Sequence, residues 1–172
     1  MRKTHSAPCA RSVGALAVDS KLRGCDLVRL RVEDVYVGGS VRDRAMIVQK
    51  KTGRPEQFEI TAATATSLKV WINTQSLKPE DSLFPSRISA REHLSERQYN
   101  RIVLRSVAEI GLDPSNYGTH SLCRTKATQI YRKTGNLRAI QLLLDHTKIE
   151  STVRYLEVDV DDALSIPSNI DV

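Results

Sequence analysis

The chain has 172 residues, 40% hydrophobic and 27% charged, the balance of a folded globular domain rather than a disordered segment. No apolar run nears the roughly 20 residues of a membrane span, and the basic N-terminus has no apolar stretch behind it to make a secretory signal. The net charge of +6 favours a polyanionic partner, nucleic acid above all; three cysteines with no C-x-x-C pair argue against a disulfide framework or a zinc site and suit a reducing cytoplasm.

Residues 1–11 are expected to be disordered. Residues 12–18 read as a short helix ending near Asp19, and Cys25 to Leu30 as one or two further helical turns. Val32 to Val37 reads as a strand, broken by Gly38-Gly39; Ala45 to Gln49 and Gln57 to Ile60 read as two more. Between the last two lies the turn sequence Lys50-Lys51-Thr52-Gly53-Arg54-Pro55. The expectation is therefore one small antiparallel three-stranded sheet within a mainly helical, α+β chain.

Thr61 or Thr64 is expected to cap a helix running to about Thr74, and 77–91, with Pro79 and Pro85, reads as a connection. Ser95 caps a helix over 96–110, with Tyr99, Ile102, Val103, Val107 and Ile110 at helical spacing and Gly111 as its stop. His120 or Ser121 opens a helix through Thr134, stopped by Gly135. Asn136 caps 137–144, and Ser151 opens a last helical stretch around Tyr155. Basic residues crowd 42–54 and 124–138, whereas the tail over 158–172 is acidic, which separates a binding face from a tail.

Four short motifs occur in order. They are Arg23-Gly24-Cys25-Asp26-Leu27, Lys50-Lys51-Thr52-Gly53, Thr119-His120-Ser121-Leu122-Cys123-Arg124, and His146 followed nine residues later by Tyr155 in Ser151-Thr152-Val153-Arg154-Tyr155. This series resembles the catalytic domain of the tyrosine recombinase, or phage integrase, family. The resemblance covers about 14–157 and implies a single catalytic domain over 1–172; the family usually carries a separate N-terminal DNA-clamping domain, and with little ahead of residue 12 none is expected here. It implies double-stranded DNA as partner, a tetramer assembled on that DNA, and strand cleavage and rejoining without cofactor, metal or ATP.

The residue types suit that chemistry. Arginine clamps the charge that grows on phosphorus, with fixed bidentate donors. A tyrosine hydroxyl, of pKa about 10, attacks phosphorus once it is polarised or deprotonated. The resemblance gives the nucleophile to Tyr155, the phosphate clamp to Arg23, protonation of the leaving oxygen to Lys51, and proton or hydrogen-bond work to His120 and His146. Lys50 is a rival for the place of Lys51. Lys50, Arg54, Arg124, Lys126 and Arg154 are the candidates for DNA contact.

The chain departs from the family at its second arginine, where the His-x-x-Arg spacing from His120 lands on Cys123. Removing one charge-stabilising donor costs roughly 10²–10³ in rate, so cleavage is expected to be impaired while DNA binding persists. Asp145 stands where the family often has glycine. The alternatives are a catalytically inactive DNA-binding protein of the same fold, a helical repressor, and a type IB topoisomerase-like activity.

Overall fold

The structure is a computed structural model that describes residues 7–86, 92–144 and 148–156. It divides into two compact units, Met1–Cys123 and Arg124–Val172.

The first unit begins with α1, Ala7–Ser20. The helix starts at Ala7, so residues 7–11, expected to be disordered, are helical. Cys9, Val13, Leu16 and Ala17 fall on one face and are buried, and that apolar stripe is what extends the helix beyond the predicted 12–18. Lys21, with φ +57°, ends it. The stripe packs on α4, Ala62–Gln75, whose Leu68, Trp71 and Ile72 are buried. Two polar ties fix the pair. Ser12 Oγ donates to Ser67 O at 3.1 Å, and Asp19 Oδ2 accepts from Thr61 N and Thr61 Oγ1 at 2.9 and 2.7 Å. Thr61, of the two expected candidates, is the N-cap.

The sheet is a correction. Val32–Val35 is a helical turn, α3, between α2 (Gly24–Leu27) and the strands. Asp34 Oδ2 accepts from Arg31 N at 2.7 Å, which closes the turn from its N-terminus, and Val32 and Val35 are both buried at the helical i, i+3 spacing. Only Tyr36–Val37 remains as a strand, β1. It pairs with β2, Ser40–Val41, across Gly38-Gly39, both at positive φ, a two-residue turn that only glycine makes without strain. The other hairpin pairs β3, Arg44–Val48, with β4, Pro55–Glu59. The described residues thus hold two separate two-stranded antiparallel sheets in place of one with three strands.

Ala45, Phe58 and Ile60 turn the inner face of the β3–β4 hairpin into the core. The connection after α4 is pinned by Leu83, whose N donates to Leu30 O and whose carbonyl accepts from Trp71 Nε1, both at 2.8 Å. α5, Glu96–Glu109, is capped by Ser95 and buries Tyr99, Ile102, Val103 and Val107 as the spacing predicted, whereas Ile110, expected on the same face, is its C-cap residue and is exposed; Gly111, at φ +79°, terminates it. A 3-10 turn at Pro114–Asn116 then leads to α6, Thr119–Thr134.

In the second unit the remainder of α6 packs with α7, Leu137–Leu143, and α8, Ile149–Leu156. Its small core is Ala127, Ile140 and Leu156, bordered by Ile130, Tyr131, Leu137 and Leu144. Asn136 Oδ1 accepts from Ala139 N at 2.9 Å, the predicted cap of α7. Among the described residues no helix is long and apolar enough to cross a membrane.

Candidate functional site

Arg23 is the N-cap residue of α2, with extended backbone, and its carbonyl accepts from Asp26 N and Leu27 N at 2.9 Å each. Its guanidinium is exposed, and Nη1 turns back to donate to Gln49 Oε1 at 2.6 Å. Gln49 sits directly after β3 and is buried. Its Oε1 also accepts from Thr52 Oγ1 at 2.7 Å, and its Nε2 donates to Glu56 Oε2. The turn carrying Lys50 and Lys51 is closed by Gly53 N donating to Gln49 O and Gln49 N donating to Arg54 O, both at 2.9 Å. Gly53, at φ +66°, permits that closure.

A second tie joins the same two elements. Asp26 is 3% exposed, and its Oδ1 accepts from Lys50 N at 2.8 Å; its Oδ2 is buried without a hydrogen-bond partner. The Arg-x-x-Asp spacing places Arg23 and Asp26 on one side of the short α2, each reaching the same hairpin. Burial raises the Glu56 carboxyl above its ordinary pKa, opposed by the hydrogen bond from Gln49 and by the charges of Arg23 and Lys21.

Cys123 comes next to this cluster through the backbone. It is 5% exposed, and its Sγ donates to Leu22 O at 2.9 Å, the carbonyl just before Arg23. Burial pushes its thiol up to about 11, so it is protonated at neutral pH. Close by, the Tyr99 hydroxyl is buried without a hydrogen-bond partner, and its pKa is raised, chiefly by burial. A Cβ on Gly24 would stand 3.3 Å from the Tyr99 ring, so the small residue is what lets the start of α2 lie against α5. The first unit thus gathers Arg23, the Lys50–Lys51 turn and the Cys123 position. His120 is exposed in the first turn of α6, three residues before Cys123 and so on the same face.

Lys51 and Arg54 are exposed on the hairpin. Lys50 lines an open cleft of about 550 Å³ with Cys25, Arg29, His93 and Glu96. In the second unit, Arg124 and Lys126 are half-buried on α6, and Arg154 is exposed on α8, where it lines a cleft with Lys148, Glu150 and Ser151. Tyr155 lies on α8; its side chain, together with Asp145, His146, residues 1–6 and the acidic tail over 158–172, lies outside the described residues.

Gln49 and Glu56 did not stand out in the sequence as site residues, although a signal was there. In β3 the inward phase runs Ala45, Ile47, and the next inward place is Gln49. In β4 Phe58 points inward, and two residues before it is Glu56. Two polar residues in the buried phase of facing strands imply that they bond each other or a neighbour.

A sequence model of the phage integrase family matches residues 3–161. The probable integrase/recombinase YoeC of Bacillus subtilis is 28% identical over 144 residues, 84% of this chain and 75% of that protein. Tyrosine recombinase XerC of Psychromonas ingrahamii is 26% identical over 147 residues, 84% of this chain and 47% of that one, so the chain spans about half the length of this second relative. Among solved structures, the fold is similar to that of XerA recombinase, with a TM-score of 0.76 at 16% identity over 96% of this chain and 58% of that one. It is similar also to XerH site-specific recombinase bound to its difH substrate, with a TM-score of 0.69 at 23% identity over 96% and 49%.

Proposed function

The chain belongs to the phage integrase family, and from that premise we propose that it is the catalytic domain of a site-specific DNA recombinase, with cleavage held down by the cysteine at position 123. In this reading 1–172 act as one catalytic domain, on double-stranded DNA, within a tetramer assembled there. Tyr155 attacks the scissile phosphate and the 5′-hydroxyl leaves, giving a 3′-phosphotyrosine link that the returning hydroxyl reverses. The bond is conserved in the exchange, so no nucleotide is consumed. Arg23 holds the phosphate oxygens, Lys51 protonates the leaving oxygen, and His120 and His146 serve the proton transfers. Lys50, Arg54, Arg124, Lys126 and Arg154 hold the DNA backbone.

The observation that carries this reading is the joining of Arg23 to the lysine turn through Gln49 and Asp26. It ties the residue read as the phosphate clamp to the turn that carries the residue read as the acid, which supports a site for phosphoryl transfer to and from a hydroxyl. One observation favours a second reading, a DNA-binding protein of the same fold without cleavage. Cys123 is buried against Leu22 O and offers a phosphate no charge.

Trapping separates the two. The Cys123→Arg chain is incubated with a labelled, nicked DNA duplex library of random sequence, and covalent complexes are resolved under denaturing conditions. The recombinase reading predicts a labelled protein band that is abolished by adding Tyr155→Phe. Binding with no covalent band in either chain favours the second reading.

A further inference from the structure

We propose that Gln49 is a positioning residue for the phosphate clamp, holding the Arg23 guanidinium in one orientation and in register with the Lys50–Lys51 turn. The inference rests on the reading of Arg23 as a phosphate contact.

The side chain of Gln49 is 6% exposed and uses both ends of its amide. Its orientation is fixed by chemistry. A guanidinium only donates and an ionised carboxylate only accepts, so Oε1 faces Arg23 and Nε2 faces Glu56. Among the described residues Gln49 is the side chain to which Arg23 hydrogen-bonds. With Nη1 committed there, the exposed remainder of the fork has a fixed direction. An arginine at a chain surface otherwise samples many rotamers, and fixing it beforehand removes that entropy from the binding step.

Gln49 is also the residue on which the hairpin turn closes. Its carbonyl accepts from Gly53 N and its Oε1 from Thr52 Oγ1. One side chain therefore sets the guanidinium and the turn that presents Lys51. Asp26 ties the backbone of that turn to α2 through Lys50 N but does not touch the guanidinium. The two ties divide the work, Asp26 placing the hairpin and Gln49 aiming Arg23.

The test is the salt dependence of binding of the full chain to a blunt DNA duplex of mixed sequence, read by fluorescence anisotropy. Each phosphate that the protein no longer neutralises lowers the slope of log affinity against log salt by about 0.9. Gln49→Leu is expected to lose about as much slope as Arg23→Ala, and the double variant no more than either. The exchange Gln49→Glu/Glu56→Gln keeps an acceptor for Arg23 and a donor to its partner, and is expected to restore the slope. It also covers the case in which Gln49→Leu fails to fold, because loss of slope in a folded exchange variant overturns the proposal. A slope lost in Arg23→Ala but kept in folded Gln49→Leu overturns the role of Gln49 and leaves Arg23 as the clamp. A slope unchanged in Arg23→Ala overturns both, since there is then no phosphate contact to position.

Discussion

The thiol of Cys123 donates to the carbonyl of Leu22 across 2.9 Å, one residue before Arg23. The contact sets the start of α6 against the segment that presents Arg23, and it buries a neutral group at the position where the sequence resemblance implies an arginine. Cys123→Arg is expected to raise covalent trapping of nicked DNA by roughly 10²–10³, the usual worth of one charge-stabilising donor. Cys123→Ser keeps a donor for Leu22 O and is expected to leave trapping at the starting level. Recovery in the serine variant would show that removal of the thiol, and not the guanidinium, had been needed.

Alkaline pH is expected to destabilise the chain. The Cys123 thiol is raised from 9.0 to about 11, and Cys25 and Tyr99 move in the same direction. A group with a raised folded pKa keeps its proton in the folded state when the unfolded chain has released it. Its contribution is complete below its unfolded value of 9.0 and declines as pH rises toward 11. Melting temperatures across that window are expected to fall less steeply for Cys123→Ala than for the unsubstituted chain.

Glu56 gives the opposite end of the pH range. Its carboxyl is raised above 4.5 by burial, so the folded state binds its proton more tightly than the unfolded state does. Stability from this group is complete below 4.5 and declines as pH rises through the folded value. Glu56→Gln retains an acceptor for Gln49 Nε2 and removes that decline. Urea midpoints are expected to favour the variant at neutral pH and to converge with the unsubstituted chain at acidic pH.

Asp26→Ala removes the buried carboxylate that accepts from the backbone N–H of the exposed Lys50, a part-buried hydrogen bond. A hydrogen bond to a charged group contributes about 1.5–3 kcal/mol, and denaturant unfolding is expected to show a loss of up to that size. Asp26→Asn keeps the acceptor oxygen and is expected to lose less.

The two turn lysines are expected to part in function. In the Cys123→Arg chain, Lys51→Ala is expected to reduce trapping by about 10²–10⁴, the range for loss of general acid catalysis. Lys50→Ala is expected to weaken DNA binding and leave the trapped fraction of bound DNA unchanged. A trapping defect confined to Lys50→Ala would reassign the acid.

The sequence by itself determined the elements that rest on local signals. Ser95 and Asn136 are caps because their side-chain oxygens meet the unpaired amides of a first turn, and Gly111 and Gly135 are stops because they take positive φ; for α4 the sequence left Thr61 and Thr64 as candidates, and the fold selects Thr61. The apolar spacing of Tyr99, Ile102, Val103 and Val107 gave a buried face that the fold keeps. The ordered motifs were enough for the family, because each is short and contiguous.

Other features were decided by contacts between distant segments. Val32-Glu33-Asp34-Val35 has strand-forming ends, yet it turns as a helix because Asp34 reaches back to Arg31 and the 77–86 connection takes the backbone bonds of Val32 and Glu33. That removed the third strand. Residues 7–11 are helical because α4 offers a face for Cys9 and Val13 to cover. Cys123, read in the sequence as a missing arginine, is in the fold a buried thiol on Leu22, a relationship across 101 residues that no local pattern encodes. The tie from Arg23 to Gln49 is of the same kind. Sequence can place a polar residue in the buried phase of a strand, but only the packing of α2 on the hairpin supplies its partner.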